Sequence, residues 1–373
     1  SARANQLPKP PDMCDDSGRR RGRSRSRSRS GGRSSLVDPE APPANLPALS
    51  VQKLKGSFGA VVEGRPALTP AWLRHPAIGR QLKEIWHHSG ILIVRGLLDL
   101  RPEDLVAFSA HFGEVQQLSG ARAHAQLPGL PVMRLGNVRD AEGRLCSVPS
   151  ASSAGLPSDG SCRYRPAERL PVWHTDGCHR ARPPAGSAFF CRRAPAEGAE
   201  TCFADAAAAW DSLSEEERRR LEGLECVCSL AHHDRKLNLQ KPDYPTLTPE
   251  MRLANPPRRV PLVLRHPATG RAAVYGLNSS TCRIVPKGAA VSQEELDKYD
   301  LQGVEDESVS ILRDLLPRFT GPELTVVWRW REGDLVVWDN RSTMHCGTGY
   351  DEQRYVREMW RTTILPEGDL GFD

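Results

Sequence analysis

Trp173-His174-Thr175-Asp176 is the segment on which the interpretation of the whole sequence depends. In an extended chain, side chains two residues apart project to the same face, so the imidazole of His174 and the carboxylate of Asp176 can reach one metal ion. A third ligand follows in Trp338-Asp-Asn-Arg-Ser-Thr-Met-His345, where His345 comes just after an apolar run. Two histidines and one carboxylate leave three coordination positions open, which is typical of non-haem iron(II) oxygenases. Zinc could use the same ligands, but zinc hydrolases usually need only one open position.

Short apolar runs separated by turn residues surround these candidate ligands. Strands are predicted at 90–95, 132–135, 187–191 and 201–203, and hairpins at 260–265 with 272–275 and at 324–330 with 335–338. Helices are predicted to begin at Thr69-Pro70 and at Pro102, and Ser214 with Glu217 forms a capping box. The first of these helices is expected to continue through Trp86. Many short strands with a few helices predict a mostly β fold with flanking helices.

Residues 1–50 differ in composition from the rest of the chain. They are rich in Pro, Gly, Ser and Arg, and an alternating Arg-Ser run occupies residues 23–30. This composition predicts a disordered tail followed by one domain at 51–373, within which the polar segment 137–169 is a candidate lid or disordered insertion. Eight arginines lie in residues 19–34, so the remainder of a chain with net charge +5 is mildly acidic. The tail is either a solvated basic linker or a segment that binds RNA or a protein partner.

Composition also restricts the class of protein. No run of 18 apolar residues occurs, so no membrane span is expected. The ten cysteines include no CxxC pair, and we expect free thiols in an intracellular, reducing compartment, with the cytoplasm as the favoured location. The chain begins with Ser1 rather than Met, which leaves the presence of a targeting peptide open. His232 and His233 lie in a charged segment, and we expect both to be solvated.

Several motifs, in the same order along the chain, resemble those of the taurine and 2,4-dichlorophenoxyacetate dioxygenase family. The resemblance covers residues 51–365 and rests on Gly90-Ile-Leu-Ile-Val-Arg-Gly96, Phe112-Gly-Glu114, Trp173-His-Thr-Asp176, Pro183-Pro-Ala-Gly186, Gly198-Ala-Glu-Thr201, His266-Pro-Ala-Thr-Gly270, Gly333-Asp-Leu-Val-Val-Trp-Asp-Asn-Arg341 and Arg361-Thr-Thr-Ile-Leu365. It implies a double-stranded β-helix, or jelly-roll, core with Fe(2+), 2-oxoglutarate and O2 as cofactor and co-substrates.

The resemblance also implies roles for individual residues. Thr201 and Arg357 would bind 2-oxoglutarate, and Arg361 would lie close to both the co-substrate and the primary substrate. A planar, permanently charged guanidinium suits the carboxylate of 2-oxoglutarate better than an ammonium does. The implied reaction oxidises, by hydroxylation, a small organic molecule while 2-oxoglutarate is converted to succinate and CO2. One interpretation of Arg361 is that the substrate carries an anionic group.

The sequence departs from the family near the expected substrate site. Leu118 stands where taurine dioxygenase has a histidine that helps to hold the sulfonate, so taurine itself is not the predicted substrate. Gln117 and Leu118 remain candidate substrate contacts. A halogenase of this chemistry typically replaces the metal carboxylate, and Asp176 argues against that outcome. A third hypothesis is a protein that acts on RNA or a partner through its tail, with a degenerate scaffold; the intact triad and Arg357 argue against it. Homo-oligomers remain open, and nucleic acid is expected only at the tail.

Overall fold

The apolar runs of the sequence form strands throughout the described residues, which are 45–117, 125–146, 173–240, 242 and 244–368 of the computed structural model. The strands are β1 (Ala48–Lys55), β2 (Phe58–Arg65), β3 (Ile91–Val94), β4 (Glu114–Val115), β5 (Met133–Gly136), β6 (Gly186–Arg193), β7 (Thr201–Asp205), β8 (Leu224–Cys228), β9 (Arg258–Pro261), β10 (Val263–Arg265), β11 (Ala272–Val274), β12 (Thr281–Pro286), β13 (Thr325–Trp328), β14 (Leu335–Asp339), β15 (Thr343–Gly347) and β16 (Glu358–Leu365). Together with the helices they confirm a mostly β fold.

Strand order shows which of these strands surround the candidate ligands. The largest sheet runs β1-β2-β3-β14-β6-β16-β4, with β5 paired to β16, and a separate three-stranded sheet runs β13-β7-β15. Two further sheets, β12-β8-β9 and β10-β11, come from the chain between β7 and β13. All five residues of β14 are buried, as expected of a strand that is paired on both edges and covered on both faces. The apolar run that precedes His345 therefore forms a central strand.

The helices are short and most begin at a recognisable cap. They are α1 (Pro70–Leu73), α2 (Pro76–Ser89), α3 (Pro102–Ser109), α4 (Ala206–Asp211), α5 (Glu215–Glu222), α6 (Leu230–Gln240), α7 (Pro249–Ala254), α8 (Gln293–Gln302) and α9 (Ser310–Phe319). The capping box of Ser214 and Glu217 is confirmed, and so is the start at Pro102. The predicted single helix from Thr69 is wrong, because Pro76 begins a second helix. Proline lacks an N–H and disfavours helical backbone in the residue before it, and His75 is accordingly extended.

One of the two predicted hairpins forms and the other does not. Strands β10 and β11 pair antiparallel across the predicted turn. Strands β13 and β14 are consecutive but do not pair with each other, because β13 pairs with β7 whereas β14 pairs with β3 and β6. The turn between them, closed by the carboxylate of Asp334 accepting the N–H of Arg331 at 3.0 Å, carries the chain from one sheet to the other. The hairpin predicted at 324–338 is therefore wrong.

Two of the apolar layers of the core lie on the two faces of the largest sheet. One lies between the first three helices and the largest sheet and contains Trp86, which is fully buried. The other lies between the largest sheet and the β13-β7-β15 sheet, where Phe203 and Trp338 pack with ring centroids 5.7 Å apart. This second layer lies directly beside His345, whose ring centroid is 4.7 Å from that of Trp338. Core packing and the candidate site thus share side chains.

The predicted domain boundaries require one adjustment. Ala48, Leu49 and Ser50 belong to β1, where Ala48 pairs with Arg65, so the first strand begins inside the predicted tail. Residues 1–44 lie outside the described part of the chain. The beginning of the proposed lid or insertion, 137–146, is ordered by a bridge between Arg139 and Leu145, whereas 147–172 are not among the described residues.

None of the helices that the structure describes is long and apolar enough to cross a bilayer. In the same part of the chain, seven cysteines are free thiols and all seven are buried. The cellular compartment stays a prediction.

Replacement of Gly186 tests the close packing around β14. A Cβ at this position would lie 2.5 Å from the carbonyl oxygen of Trp338 and 2.7 Å from Cζ2 of Trp86. We expect Gly186→Ala to lower the free energy of unfolding by about 1–3 kcal/mol, the usual range for overpacking. The measurement is urea unfolding followed by circular dichroism.

Gly223→Ala is the matched control for this variant. A Cβ at Gly223 has its nearest neighbour at 3.9 Å, and its φ of −85° suits any residue. We expect stability to stay the same or to rise by about 0.4–1 kcal/mol. Equal losses in the two variants would contradict the packing described for Gly186.

Candidate metal centre

His174 and His345 are brought together by reciprocal backbone hydrogen bonds. The N–H of each donates to the carbonyl oxygen of the other at 3.0 Å, which forms an isolated antiparallel bridge. His345 lies in β15, whose pairing with β7 sets its register. The two imidazole centroids are 4.2 Å apart. Residues 171 positions apart in sequence therefore present their rings to the same place.

Asp176 reaches the two imidazoles from a turn rather than from a strand. The sequence predicts extended backbone through this segment, but the chain turns after His174 and Gly177 takes a φ of +64°. Even so, Oδ1 of Asp176 lies 3.8 Å from Nε2 of His174 and 3.8 Å from Nε2 of His345. The ligand atoms of the three residues all lie within 4.8 Å of one another. The structure thus brings the predicted triad together.

The two carboxylate oxygens of Asp176 have different environments. Oδ2 accepts a hydrogen bond from Oγ of Ser187 and forms an ion pair with Nη2 of Arg361, both at 2.9 Å, while Oδ1 faces the imidazoles. Nη2 of Arg361 also donates to Oγ of Ser187 at 2.9 Å. The carboxylate is therefore held by one oxygen, and the other is directed at the point where the histidine nitrogens converge.

Charge states in the triad suit a divalent cation. Burial alone would raise the pKa of Asp176, but the Arg361 guanidinium and the two imidazoles outweigh it and hold the pKa well below its usual range. Burial, together with the smaller effect of the neighbouring His174, lowers the pKa of His345 to about 3. At neutral pH the site therefore offers an anionic oxygen and a neutral imidazole with a free lone pair.

Arg357 and Thr201 lie in the wall of the same cavity. Burial is the main cause that lowers the pKa of Arg357, and no carboxylate of the described residues lies within ion-pair distance of its guanidinium. The backbone N–H of Arg357 donates to Oδ1 of Asn137 at 2.8 Å. Thr201, in β7, accepts the indole N–H of Trp330 at 2.9 Å, so its own hydroxyl proton remains available for donation. A cation and a hydroxyl donor in one cavity wall are what a dicarboxylate needs.

The cavity itself has a volume of about 370 Å³ and is lined by all six residues that the sequence assigned to metal and co-substrate: His174, Asp176, His345, Thr201, Arg357 and Arg361. Gln117 is exposed and is not among the described residues that line the cavity, and a substrate contact there stays a prediction. The pairing of β4 with the end of β16 includes Glu114 and Val115, and the backbone N–H of Gln116 donates to the carbonyl oxygen of Thr363 at 2.9 Å. Leu118 lies outside the described residues.

The prediction that His232 and His233 are both solvated is wrong for His232. His232 is fully buried in α6, with Nδ1 at 3.1 Å from the carbonyl oxygen of Tyr299. His233 lines the cavity, and its Nδ1 lies 2.7 Å from Oγ of Ser279. The sequence does not reveal this wall of the cavity, because the local pattern of residues 230–240 does not indicate which face of α6 meets the cavity. Only the packing of α6 on α8 and the loop before β12 places it.

The arrangement of the triad defines a candidate mononuclear metal centre in a sheet-rich protein. Comparison with known proteins agrees with it. The model of the taurine catabolism dioxygenase TauD, TfdA family matches residues 50–363. Pentalenolactone F synthase of Streptomyces avermitilis is 26% identical over 329 residues, 84% of this chain and 94% of that protein. The α-ketoglutarate-dependent 2,4-dichlorophenoxyacetate dioxygenase of Cupriavidus pinatubonensis is 27% identical over 295 residues, 77% of this chain and 88% of its own length.

A solved structure shows the same similarity in three dimensions. AAD-2 in complex with Mn(II) and N-oxalylglycine superposes with a TM-score of 0.61 at 25% identity, covering 87% of this chain and 99% of that one. The chain therefore belongs to the TauD/TfdA family, and it is a 2-oxoglutarate-dependent dioxygenase.

Buried His232 should make stability depend on pH. Burial lowers its pKa from 6.5 to about 3, and its Nε2 has no hydrogen-bond partner among the described residues. Because the folded pKa is lower than the unfolded one, the contribution is complete above pH 6.5 and is lost as the pH falls towards 3, at up to about 1.4 kcal/mol per pH unit. We expect His232→Leu to flatten this part of the stability profile of metal-free protein. Parallel profiles for wild type and variant from urea unfolding at several pH values would contradict it.

Proposed function

We propose that this dioxygenase binds iron(II) through His174, Asp176 and His345 and hydroxylates a small organic anion. The observation that supports it most strongly is the convergence of two imidazole nitrogens and one carboxylate oxygen within 4.8 Å. Among the described residues, no further histidine, cysteine or carboxylate joins this cluster. A structural zinc site would need a fourth protein ligand. Two histidines and one carboxylate leave three positions open, as this class of iron enzyme requires.

Arg357 and Thr201 are the proposed anchors for 2-oxoglutarate. No carboxylate of the described residues pairs with the Arg357 guanidinium. The distal carboxylate of the co-substrate would be its partner. The hydroxyl of Thr201, which already accepts from Trp330, would donate to the same carboxylate. With iron(II) and 2-oxoglutarate bound, the centre supplies the oxidative decarboxylation that yields succinate and CO2 and oxidises the substrate with O2.

The remaining cavity wall supports an anionic substrate with an apolar body. Nε of Arg361 is buried and has no hydrogen-bond partner among the described residues, although Nη2 is bound to Asp176 and Ser187. A substrate anion would satisfy this remaining donor. Apolar surface comes from Phe189 and Leu237, and a volume of about 370 Å³ suits a small molecule. The chain's own task is to orient the substrate and to exclude water from the site.

We also propose that the core is a double-stranded β-helix. The β13-β7-β15 sheet packs on the largest sheet through the layer that contains Phe203 and Trp338. His174 and His345 join the chain entering this core to β15. Two sheets enclosing a metal site between them are expected of that architecture.

Removal of one imidazole tests the metal assignment. We expect His345→Ala to abolish iron-dependent conversion of 2-oxoglutarate to succinate, since two ligands do not retain the ion. Succinate would be measured with carboxylic acids, sulfonates and sulfate esters as trial substrates. His111→Asn is the control, because that imidazole contacts the carbonyl oxygen of Leu73 and does not line the cavity. Unchanged succinate release in the His345 variant would remove this assignment.

Arg357→Ala tests the co-substrate anchor. Loss of a charge-assisted pair at a desolvated site costs about 2–5 kcal/mol, so binding of 2-oxoglutarate should weaken accordingly. Calorimetric titration of the Mn(II)-loaded protein without O2 measures this binding directly. Arg354→Ala is the matched control, since Arg354 is an exposed arginine three residues earlier whose guanidinium lies over the ring of Tyr355. Equal affinity in the Arg357 variant would transfer the role to another arginine.

A further inference from the structure

A second cluster in the molecule has the composition of a metal site. Ligand atoms of His87, His266 and Asp339 lie within 4.8 Å of one another. His266 and Asp339 are buried, and His266 belongs to the His-Pro-Ala-Thr-Gly motif, for which the proposed chemistry has no role. The cluster lies outside the dioxygenase cavity, and none of its three residues lines that cavity.

The protonation of His266 excludes a metal ion at this second cluster. Its Nδ1 accepts the backbone N–H groups of Ala268 and Thr269 at 3.1 and 3.2 Å, so the ring proton must be on Nε2. That N–H donates to Oδ2 of Asp339 at 2.9 Å. A metal bound to Nε2 would move the proton to Nδ1, where it would face two other N–H groups. Arg341 already neutralises the carboxylate of Asp339, with Nε–Oδ1 at 2.8 Å and Nη2–Oδ2 at 2.6 Å.

Asp339 instead organises the turn between β14 and β15. Its backbone N–H donates to the carbonyl oxygen of Gly90 at 2.8 Å, and its own carbonyl oxygen accepts the hydroxyl of Thr343 at 2.7 Å. Oδ1 also accepts the backbone N–H of Arg341 at 2.9 Å. The carboxylate and the peptide group of one residue thus close the turn on both sides, and His266 fixes that carboxylate from a different loop.

The same turn leads to two parts of the metal centre. Two residues beyond Thr343 the chain reaches His345. Asn340, next to Asp339, is buried, and its Oδ1 accepts the backbone N–H of Asp176 at 3.4 Å and the indole N–H of Trp338 at 3.1 Å. Its Nδ2 donates to the carbonyl oxygen of Pro184 at 3.2 Å. The turn of Asp176 is therefore tied to the turn that Asp339 closes.

We infer that His266, Asp339 and Arg341 form a positioning network that sets the turn at 339–342 and, through it, the places of Asp176 and His345. The inference rests on the proposed metal function of those two residues. None of the three network residues touches the site, so each acts through the backbone of the turn and through Asn340. Partners of this kind that hold metal ligands in place typically change metal affinity by about 10–100-fold.

The experiment uses Co(II) as a spectroscopic probe of the full-length protein, without substrate. Affinity and the visible absorption band would be measured for wild type and His266→Leu, alongside urea unfolding of the metal-free proteins. We expect Co(II) to bind about 10–100-fold more weakly to His266→Leu, with an altered absorption band. His266→Gln keeps an amide N–H for Asp339, and we expect it to restore most of the affinity.

His232→Leu is the matched control, because it also replaces a fully buried histidine by an apolar side chain. The imidazole that it removes contacts Tyr299 and not the turn at 339–342. We expect it to keep wild-type Co(II) affinity whatever it does to stability. Wild-type affinity in His266→Leu, or equal weakening in both leucine variants, overturns the inference.

Two further variants keep the result interpretable. If His266→Leu does not fold, Thr343→Val removes only the hydroxyl bond to Asp339, and weaker Co(II) binding in that variant supports the network while unchanged binding overturns it. His345→Ala identifies a failure of the proposed function. If that variant binds Co(II) as wild type does, the ion is elsewhere, and the proposed metal centre falls together with the inference drawn from it.

Discussion

The reciprocal hydrogen bonds between His174 and His345 are the interaction on which the rest of the site depends. Because they are backbone bonds, they hold the two segments together independently of the side chains. The backbone geometry then sets where the two imidazole rings lie. One segment follows a part of the chain rich in turn residues, and the other is a strand of the β13-β7-β15 sheet. A displacement of β15 by one residue would reverse the direction of the His345 ring. Strand register is therefore as important to this centre as ligand identity.

Charge is balanced around the site by a limited set of groups. Arg361 is bound to the one oxygen of Asp176 that does not face the imidazoles, which keeps the carboxylate ionised in a buried environment. Arg357 is the complementary case, a half-buried cation for which the described residues provide no anion. Burying a charge without a partner is costly. The cavity is thus arranged for an anionic ligand, and the family to which the chain belongs uses one.

The same combination of two histidines and one aspartate occurs twice in the structure, and the two clusters differ in their hydrogen bonding. Two histidines and an aspartate converge at 174, 176 and 345 and also at 87, 266 and 339. In the first group the nitrogens of His174 and His345 are 3.8 Å from Oδ1 of Asp176, beyond hydrogen-bond distance, with room for an ion. In the second, the 2.9 Å hydrogen bond to Asp339 and two backbone donors occupy both nitrogens of His266. Residue types alone do not separate these cases, because the distinction lies in which lone pairs are already used.

The sequence by itself determined the types of the candidate ligands, several helix starts at proline and capping residues, and about half of the strands, because those features depend on neighbours within a few positions. It also indicated Thr201, Arg357 and Arg361 through the family resemblance. Only the tertiary structure decided that β13 and β14 lie in different sheets, that Gln117 is exposed, and that His233 faces the cavity. Each of these features depends on contacts between residues distant in sequence. A local pattern of apolar and polar side chains indicates which face of an element is buried, but it does not indicate which distant element covers that face.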